Sequence, residues 1–483
     1  MTIISLLDLL VNGLIEAEER FLDNPRDFYS LEKAVKASTE AFAAGFLGEV
    51  LSSINNQICN SSWREGRYKI QRNDTRTLIS SVGDVSFDCT YFQRLTDEGG
   101  YTYLLEDLIG LDKHERFTEE AEVLLLTEAL KTSYSEAARV LPSKQKITKT
   151  TVMNKVHHLA EEMPCEAPEE VKKAEYFFIE TDEDHVAEQH GGKSEDNKSF
   201  ISKLIYIYES KQDVAGYSGR KELAGSFYFS GLYPGKEGNE KLWKNVQDYI
   251  DKNYEKEYLK RIFVSGDGAQ WIKRGAEYLD KALFCADKYH LMKYINLAAA
   301  QMLDEKDAAK DELWHLLYSK KAKAKERFEE YTNCMMQSAK NPDKVENLRT
   351  YVLGNWAAVR RTLRNKLADG CSAEGHVSHV LSDRLSSRPM GWSQTGADRM
   401  CKLRCYERNH GREGIINLVR YSREHRKLPA AGTDDAMVRA VTLREIRTEH
   451  YDQARSYIER IQAHVPGLTA KKTAAIRTHL RMV

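Results

Sequence analysis

The sequence predicts a multidomain α+β protein in which one mixed β-sheet is bracketed by helical regions, and three observations predict it. Residues 1–60 carry apolar side chains at three- and four-residue spacing, through Leu31, Val35, Phe42, Phe46 and Val50, the period of an amphipathic helix. Between Tyr176 and Ala286 short β-prone runs recur, three of them before the first intervening helix,. Beyond Leu291 about eighty residues are rich in Lys, Glu and Ala and carry no strand signal,.

Composition sets the outer bounds. A chain of 483 residues, 41% hydrophobic, has room for two to four domains with real cores. Its eight cysteines are scattered without a C-x-x-C pair, so neither a zinc ribbon nor a disulfide framework is expected and a reducing cytoplasm fits. Met1 to Leu14 is apolar but lacks a basic leader and is interrupted by Asp8, so a secretory signal is not expected. No run reaches membrane-spanning length, and no membrane partner is expected. The net charge of −1 conceals an asymmetry: residues 351–483 hold 24 Lys and Arg against 13 Asp and Glu, a balance of +11, leaving 48 against 60, or −12, for residues 1–350. Such a split points to a polyanion beside the carboxyl-terminal region.

Taken in order, residues 1–60 form a helical region for packing or dimerisation. Residues 61–110 form a basic β-hairpin region: Tyr68–Arg72 and Leu78–Phe87 read as strands with a turn at Gly83-Asp84, followed by Thr90-Tyr91-Phe92,. Arg64, Arg67, Lys69, Arg72 and Arg76 stud it and suit either phosphate contact or a solvated face,. In residues 111–163, Thr118 with Glu119 and Glu120 starts a helix, Ser133 to Glu136 is a capping box opening a short helix to Leu141, Pro142 closes it, and Lys149–Glu162 is a third,. Three helices with a short middle one and a tight connection make a helix-turn-helix candidate. Lys144, Lys146, Lys149, Thr150, Thr151, Asn154 and Lys155 then lie at the turn and on the recognition helix, as residue types that bond phosphates and base edges,.

Residues 171–303 carry the sheet. Tyr176 to Asp184 is a strand running into acid, Ser199–Tyr208 and Ser226–Phe229 follow, Lys241–Tyr258 is an amphipathic helix, Ile262–Val264 is a strand, Ala269–Tyr278 is a helix, and Ala282–Ala286 is the last strand, ending at Asp287. This β-β-β-α-β-α-β-α order is that of a ribonuclease-H-like mixed-sheet core. Residues 304–368 read as an all-helical insertion, residues 369–412 as the last part of the core, and residues 413–483 as a basic helical carboxyl-terminal region. Arg384, Arg388, Trp392, Arg399, Lys402 and Arg404 are candidates for DNA contact there, the tryptophan by stacking on an unpaired base,.

A core of this order does metal-assisted phosphoryl chemistry when carboxylates from the first strand, a later strand end and a following helix hold two divalent cations about 4 Å apart. Asp182 supplies the first carboxylate, with Glu180 and Asp184 as neighbours on the same strand face. Asp267, in Val264-Ser265-Gly266-Asp267-Gly268-Ala269-Gln270-Trp271-Ile272, supplies the second, its flanking glycines permitting a sharp turn,. Glu374 supplies the third. Trp271 suits core packing or base stacking. Magnesium, two ions, is the expected cofactor, with manganese able to substitute.

Glu180 to Val186, Val264 to Ile272, Asp287-Lys288-Tyr289-His290-Leu291-Met292-Lys293 and Gly370 to His379 together resemble, in that order, the DDE transposases of ISLre-type bacterial insertion sequences, relatives of the Mutator-like transposases. The resemblance runs to about Arg412. It implies Asp182, Asp267 and Glu374 as the catalytic, metal-binding triad, adds His290 as a catalytic group with Asp287 beside it, and implies an enzyme that binds the terminal inverted repeats of its own element. The implied partners are double-stranded DNA, at element ends and at target, and a second copy of the chain, in a homodimer or larger assembly on the bacterial nucleoid. Two alternatives stay open: a DNA-binding protein without catalysis, and a structure-selective nuclease of the same fold.

Overall fold

The computed structural model describes residues 3–95, 99–164, 168, 170–189, 199–216, 221–365, 367, 371–388, 390–426 and 452. Two compact units divide them: residues up to Lys155 together with those from Val419 onward, and residues Val156–Leu418.

The first unit opens with a helical hairpin, α1 (Ile3–Asp23) and α2 (Phe28–Asn60), the second capped by Asp27, whose Oδ1 accepts from Ser30 N at 3.1 Å,. Helix α2 lies on an antiparallel pair, β1 (Tyr68–Ser80) and β2 (Gly83–Arg94), joined to the short β3 (Tyr101–Thr102) and followed by α3 (Leu104–Ile109). Ile58, Leu78, Val85, Phe87, Phe92 and Leu105 fill the space between. The hairpin turn differs from expectation. Ser80 pairs with Gly83, so Ser81-Val82 make the turn and Gly83, at φ 121°, is already the first residue of β2. Three further helices follow: α4 (Glu119–Ala129), capped by Thr118, α5 (Tyr134–Ala137), capped by Ser133, and α6 (Lys149–His157).

Residues 138–148 separate α5 from α6, and α6 ends at His157 instead of Glu162. The expected tight connection is therefore absent: the chain turns at Pro142, Ser143 N donating to Leu141 O at 2.9 Å, and Asp84 anchors it, accepting from Ser143 Oγ at 2.5 Å and Lys144 N at 3.1 Å,. A helix-turn-helix needs a turn of three or four residues.

In the second unit a mixed five-stranded sheet has the order β8-β5-β4-β9-β10, built from β4 (Tyr176–Ala187), β5 (Ser199–Tyr208), β8 (Phe227–Gly231), β9 (Arg261–Gly266) and β10 (Ala282–Ala286). β4 pairs antiparallel with β5 and β5 with β8; β4 and β9 are parallel, as are β9 and β10. A polar hairpin not expected from the sequence, β6 (Ser210–Asp213) and β7 (Lys221–Ala224), extends from β5. Helices α7 (Gly235–Asn253) and α8 (Gln270–Tyr278) cover one face over Phe177, Ile179, Ile205, Trp243, Val264 and Ile272. Helices α9 (Lys288–Ala299), α10 (Lys306–Tyr318), α11 (Ala324–Ser338), α12 (Pro342–Gly354) and α13 (Trp356–Arg364) enclose their own core around Leu313, Leu317, Phe328 and Leu348.

Three carboxyl-terminal helices follow: α14 (Ala373–Val377), α15 (Asp383–Leu385) and α16 (Gln394–Arg426), the last kinked at Gly411 and belonging to this unit as far as Leu418. Both edges of the sheet are closed by helix side chains. On β8, Asn409 of α16 accepts from Tyr228 N at 2.8 Å and donates to Tyr228 O at 2.9 Å, while Asp398 accepts from Leu232 N at 3.2 Å. On β10, Arg361 and Thr362 of α13 donate to the carbonyls of Phe284 and Ala286. Gly370 and the carboxyl-terminal region beyond Arg426, Asp452 apart, lie outside the described residues.

Candidate active site

Strand β4 runs from apolar residues, Tyr176 to Ile179, into acidic ones from Glu180 to Asp184. Phe177 and Ile179 enter the core under α7 and α8, so Glu180, Asp182 and Asp184 share the opposite face. The last pair between β4 and β9 is Glu180 with Ser265, and carrying that register two residues further aligns Asp182 with Asp267. The glycines around Asp267 are both required. A Cβ at Gly266 would lie 3.0 Å from the Thr181 carbonyl oxygen, and Gly268 holds a φ of 96°,. Asp267 Oδ1 accepts from Ala269 N at 2.8 Å, and Asp182 Oδ1 accepts from Glu183 N at 2.9 Å. No described residue donates to the second oxygen of either.

Asp287 joins them because β10 runs parallel beside β9. Its N–H donates to Gly266 O at 2.9 Å. Its Oδ1 caps α9 through Tyr289 N at 2.9 Å, and its Oδ2 accepts from His290 Nδ1 at 2.6 Å. Burial, together with the negative charge of Asp267 and Asp287, pushes the Asp182 carboxyl up to about 6 against the Glu183 N–H and His290,. The bond to Asp287 raises the His290 imidazole above its ordinary value against its burial, helped by the charges of Asp287, Asp182 and Asp267. The site is thus crowded with negative charge, and its donors are the carboxylate oxygens that a hard divalent cation takes. Asp182 and Asp267 fit such an ion. Among the described residues no three Asp, Glu, His or Cys side chains converge closely enough to hold one.

Glu374 stands next to this cluster. It lies in the first turn of α14, which packs on β4, and its carboxylate raises the phenol of Tyr289, one residue before His290. The segment entering α14 is held by Glu180, whose Oε2 accepts from Ser372 N at 2.5 Å and Ser372 Oγ at 3.0 Å. Tyr206 and Tyr208 also donate to Glu180, and Lys211 Nζ lies 3.1 Å from its Oε1. Asp184 is occupied elsewhere, its Oδ2 accepting from Ser386 Oγ at 2.7 Å. Trp271 is buried in the core and donates from Nε1 to Glu183 at 2.8 Å, a packing position.

The residues expected at DNA separate into two groups. Lys144, Lys146, Lys149, Thr150 and Asn154 are exposed, with Thr151 half-buried against Thr148, and Arg388 is exposed. Lys155, in contrast, is 8% exposed and paired with Glu115 at 2.9 Å and Glu122 at 3.0 Å. Arg384 is buried over the ring of Trp392, itself buried with Nε1 donating to Leu385 O. Arg399 donates to Leu159 O and Asp398, Lys402 to Glu161 O and Asp398, and Arg404 to Val380 O and His379 O. These long cations, read as surface contacts, are committed to carbonyls and carboxylates of the fold, and Trp392 offers no free ring to a base. A basic run shows where cations are dense, not where their stems lead.

Residues 21–421 match the model of the uncharacterised protein family UPF0236. A UPF0236 protein of Caldanaerobacter subterraneus subsp. tengcongensis is 31% identical over 395 residues, 81% of this chain and 80% of the relative. A second from the same organism is 29% identical over 399 residues, 82% of this chain and 81% of the relative. Among solved structures, the Drosophila P element transposase strand transfer complex matches at 13% identity over 77% of this chain and 93% of that chain, with a TM-score of 0.21.

Proposed function

The chain belongs to the UPF0236 family, and from that premise we propose that it is a DDE transposase of the ISLre type, which cuts DNA at the ends of its own element and joins the freed 3′ ends to target DNA. The observation that carries this reading is the approach of Asp182, on β4, to Asp267, in the turn that directly follows the parallel neighbour β9, close enough that the charge of Asp267 helps raise the Asp182 carboxyl. Numbered along the chain, the sheet strands lie in the order 3-2-1-4-5 with the second antiparallel to the first, which supports a ribonuclease-H-like core.

In this reading Asp182 and Asp267 would hold magnesium or manganese, and Glu374, which does not converge with them in this structure, would complete the set from α14. Cations held there would supply Lewis-acid chemistry, lowering the pKa of an attacking water or 3′-hydroxyl and stabilising the leaving oxygen. The chain's own residues prepare the site. Gly266 lets β9 approach β4, and Asp287 fixes the imidazole of His290 through Nδ1, which directs Nε2 toward a phosphate oxygen,. In the first unit the exposed Lys144, Lys146, Lys149, Thr150 and Asn154 supply a phosphate-binding surface, and two chains bring two element ends together.

Strand transfer with double-stranded oligonucleotides taken from the DNA flanking the reading frame tests this directly. With Mg²⁺ the wild type joins 3′ ends, and Asp267→Asn lowers joining by more than about a hundredfold, beyond what outer-shell changes around a metal cost. Unaltered joining by Asp267→Asn overturns the assignment, and cleavage without joining favours a nuclease.

A further inference from the structure

We propose that Glu180 and Asp184 are positioning residues, which staple the segment carrying Glu374 to β4 on either side of Asp182 and so set the affinity of the site for divalent cations. The inference rests on the functional reading above and assigns these two acids a role that neither the triad nor the metal ligands include.

The geometry follows from the period of a strand. Side chains two residues apart point to one face, so Glu180, Asp182 and Asp184 stand in a row. The middle one faces Asp267; the outer two are spent on the chain between Ser372 and Ser386. Glu180 receives the Ser372 N–H and hydroxyl, and Asp184 receives the Ser386 hydroxyl. Glu374 lies between those serines, two residues after the first. Its helix has five residues, too few to fix its own position by length.

Glu180 is built for this task. It is 1% exposed, and its two oxygens are shared among Tyr206, Tyr208, Lys211 and Ser372. His376, one turn into the same segment, stacks on Tyr206 at 4.3 Å and meets the Tyr228 hydroxyl at 3.2 Å. The staple thus reaches through α14.

Calorimetric titration of Mn²⁺ into the metal-free full-length chain tests the proposal without turnover. Wild type binds and Asp267→Asn does not. Glu180→Gln and Ser386→Ala each weaken binding about tenfold, the scale of groups that orient metal ligands. Tyr208→Phe removes a bond to Glu180 that does not pass through Ser372; it lowers the melting temperature and leaves Mn²⁺ affinity unchanged. In a Glu374→Gln background, Glu180→Gln and Ser386→Ala cause no further loss. Wild-type affinity in Glu180→Gln, or a deficit that persists undiminished with Glu374→Gln, overturns the staple and leaves the functional reading standing. If Asp184→Ala abolishes binding while Ser386→Ala does nothing, Asp184 is a ligand and its positioning role falls. Equal binding by wild type and Asp267→Asn overturns the functional reading, and the staple with it.

Discussion

Asp182→Asn stabilises the metal-free protein while removing its proposed chemistry. Burial and two neighbouring aspartates raise this carboxyl from an ordinary 3.8 to about 6. A raised carboxyl binds its proton more tightly in the folded state, so its contribution is fully present below pH 3.8 and is lost as pH rises through about 6. At about 1.4 kcal/mol per pH unit, the ionised group costs the fold about 3 kcal/mol at pH 7.5. Asparagine keeps the shape and the acceptor for Glu183 N–H and carries no charge. In EDTA at pH 7.5 the variant should melt about 5–10 °C higher than wild type, the shift expected for a unit of this size. The two should converge as pH falls below 4. Magnesium then closes the gap: at a hundred times its dissociation constant it adds about 2.7 kcal/mol to wild type and little to the variant. Scanning calorimetry across pH 3.5–8 reads both. If Asp182→Asn melts at or below wild type in EDTA at pH 7.5, the crowding of charge around Asp182 is refuted.

Three further outcomes are expected. Lys155→Met leaves Glu115 and Glu122 without their buried ammonium and should cost about 3–5 kcal/mol in urea denaturation, whereas Lys149→Ala should leave stability unchanged and lower the salt slope of DNA binding by about 1; the opposite pattern would return Lys155 to the DNA surface. Burial holds His376 down to about 4, aided by Arg408, His379 and Lys211 and opposed by Glu180. Its contribution is therefore present above pH 6.5 and lost as pH falls through about 4, so His376→Phe should remove about 3 kcal/mol of acid destabilisation over that window, visible as a flatter profile of melting temperature. Gly266→Ala places a methyl 2.9 Å from the Ile272 side chain and 3.0 Å from Thr181 O; about 1–3 kcal/mol of stability should be lost, and a neutral substitution would show that β9 has room to move away from β4.

What could be read from the sequence follows how local each signal is. β5 and β10 begin and end where their apolar runs do, at Ser199–Tyr208 and Ala282–Ala286, because charged or glycine-rich neighbours bound them. Asp182 and Asp267 were legible for the same reason: acid directly beside a buried strand is an unusual neighbour. The hairpin β6–β7 was not, since its eight residues carry only two apolar side chains, Leu223 and Ala224, and these are adjacent instead of alternating. Nor was the bond of Glu180 to Ser372, which joins residues 192 positions apart and leaves no periodic trace. The connection between α5 and α6 was misread at its near end: α6 starts at Lys149 as expected, but α5 stops at Ala137, short of Leu141, the end expected from Pro142.

The helix side chains that occupy the two sheet edges limit how copies of this protein can meet. An exposed edge strand is a template on which another molecule's strand can add, the usual route to sheet-mediated aggregation and to dimers that share a sheet. With Tyr228 held by Asn409 and the Phe284 and Ala286 carbonyls held by Arg361 and Thr362, neither edge of this sheet offers that template. Copies of this protein can therefore be crowded together without their five-stranded sheets joining edge to edge into fibres.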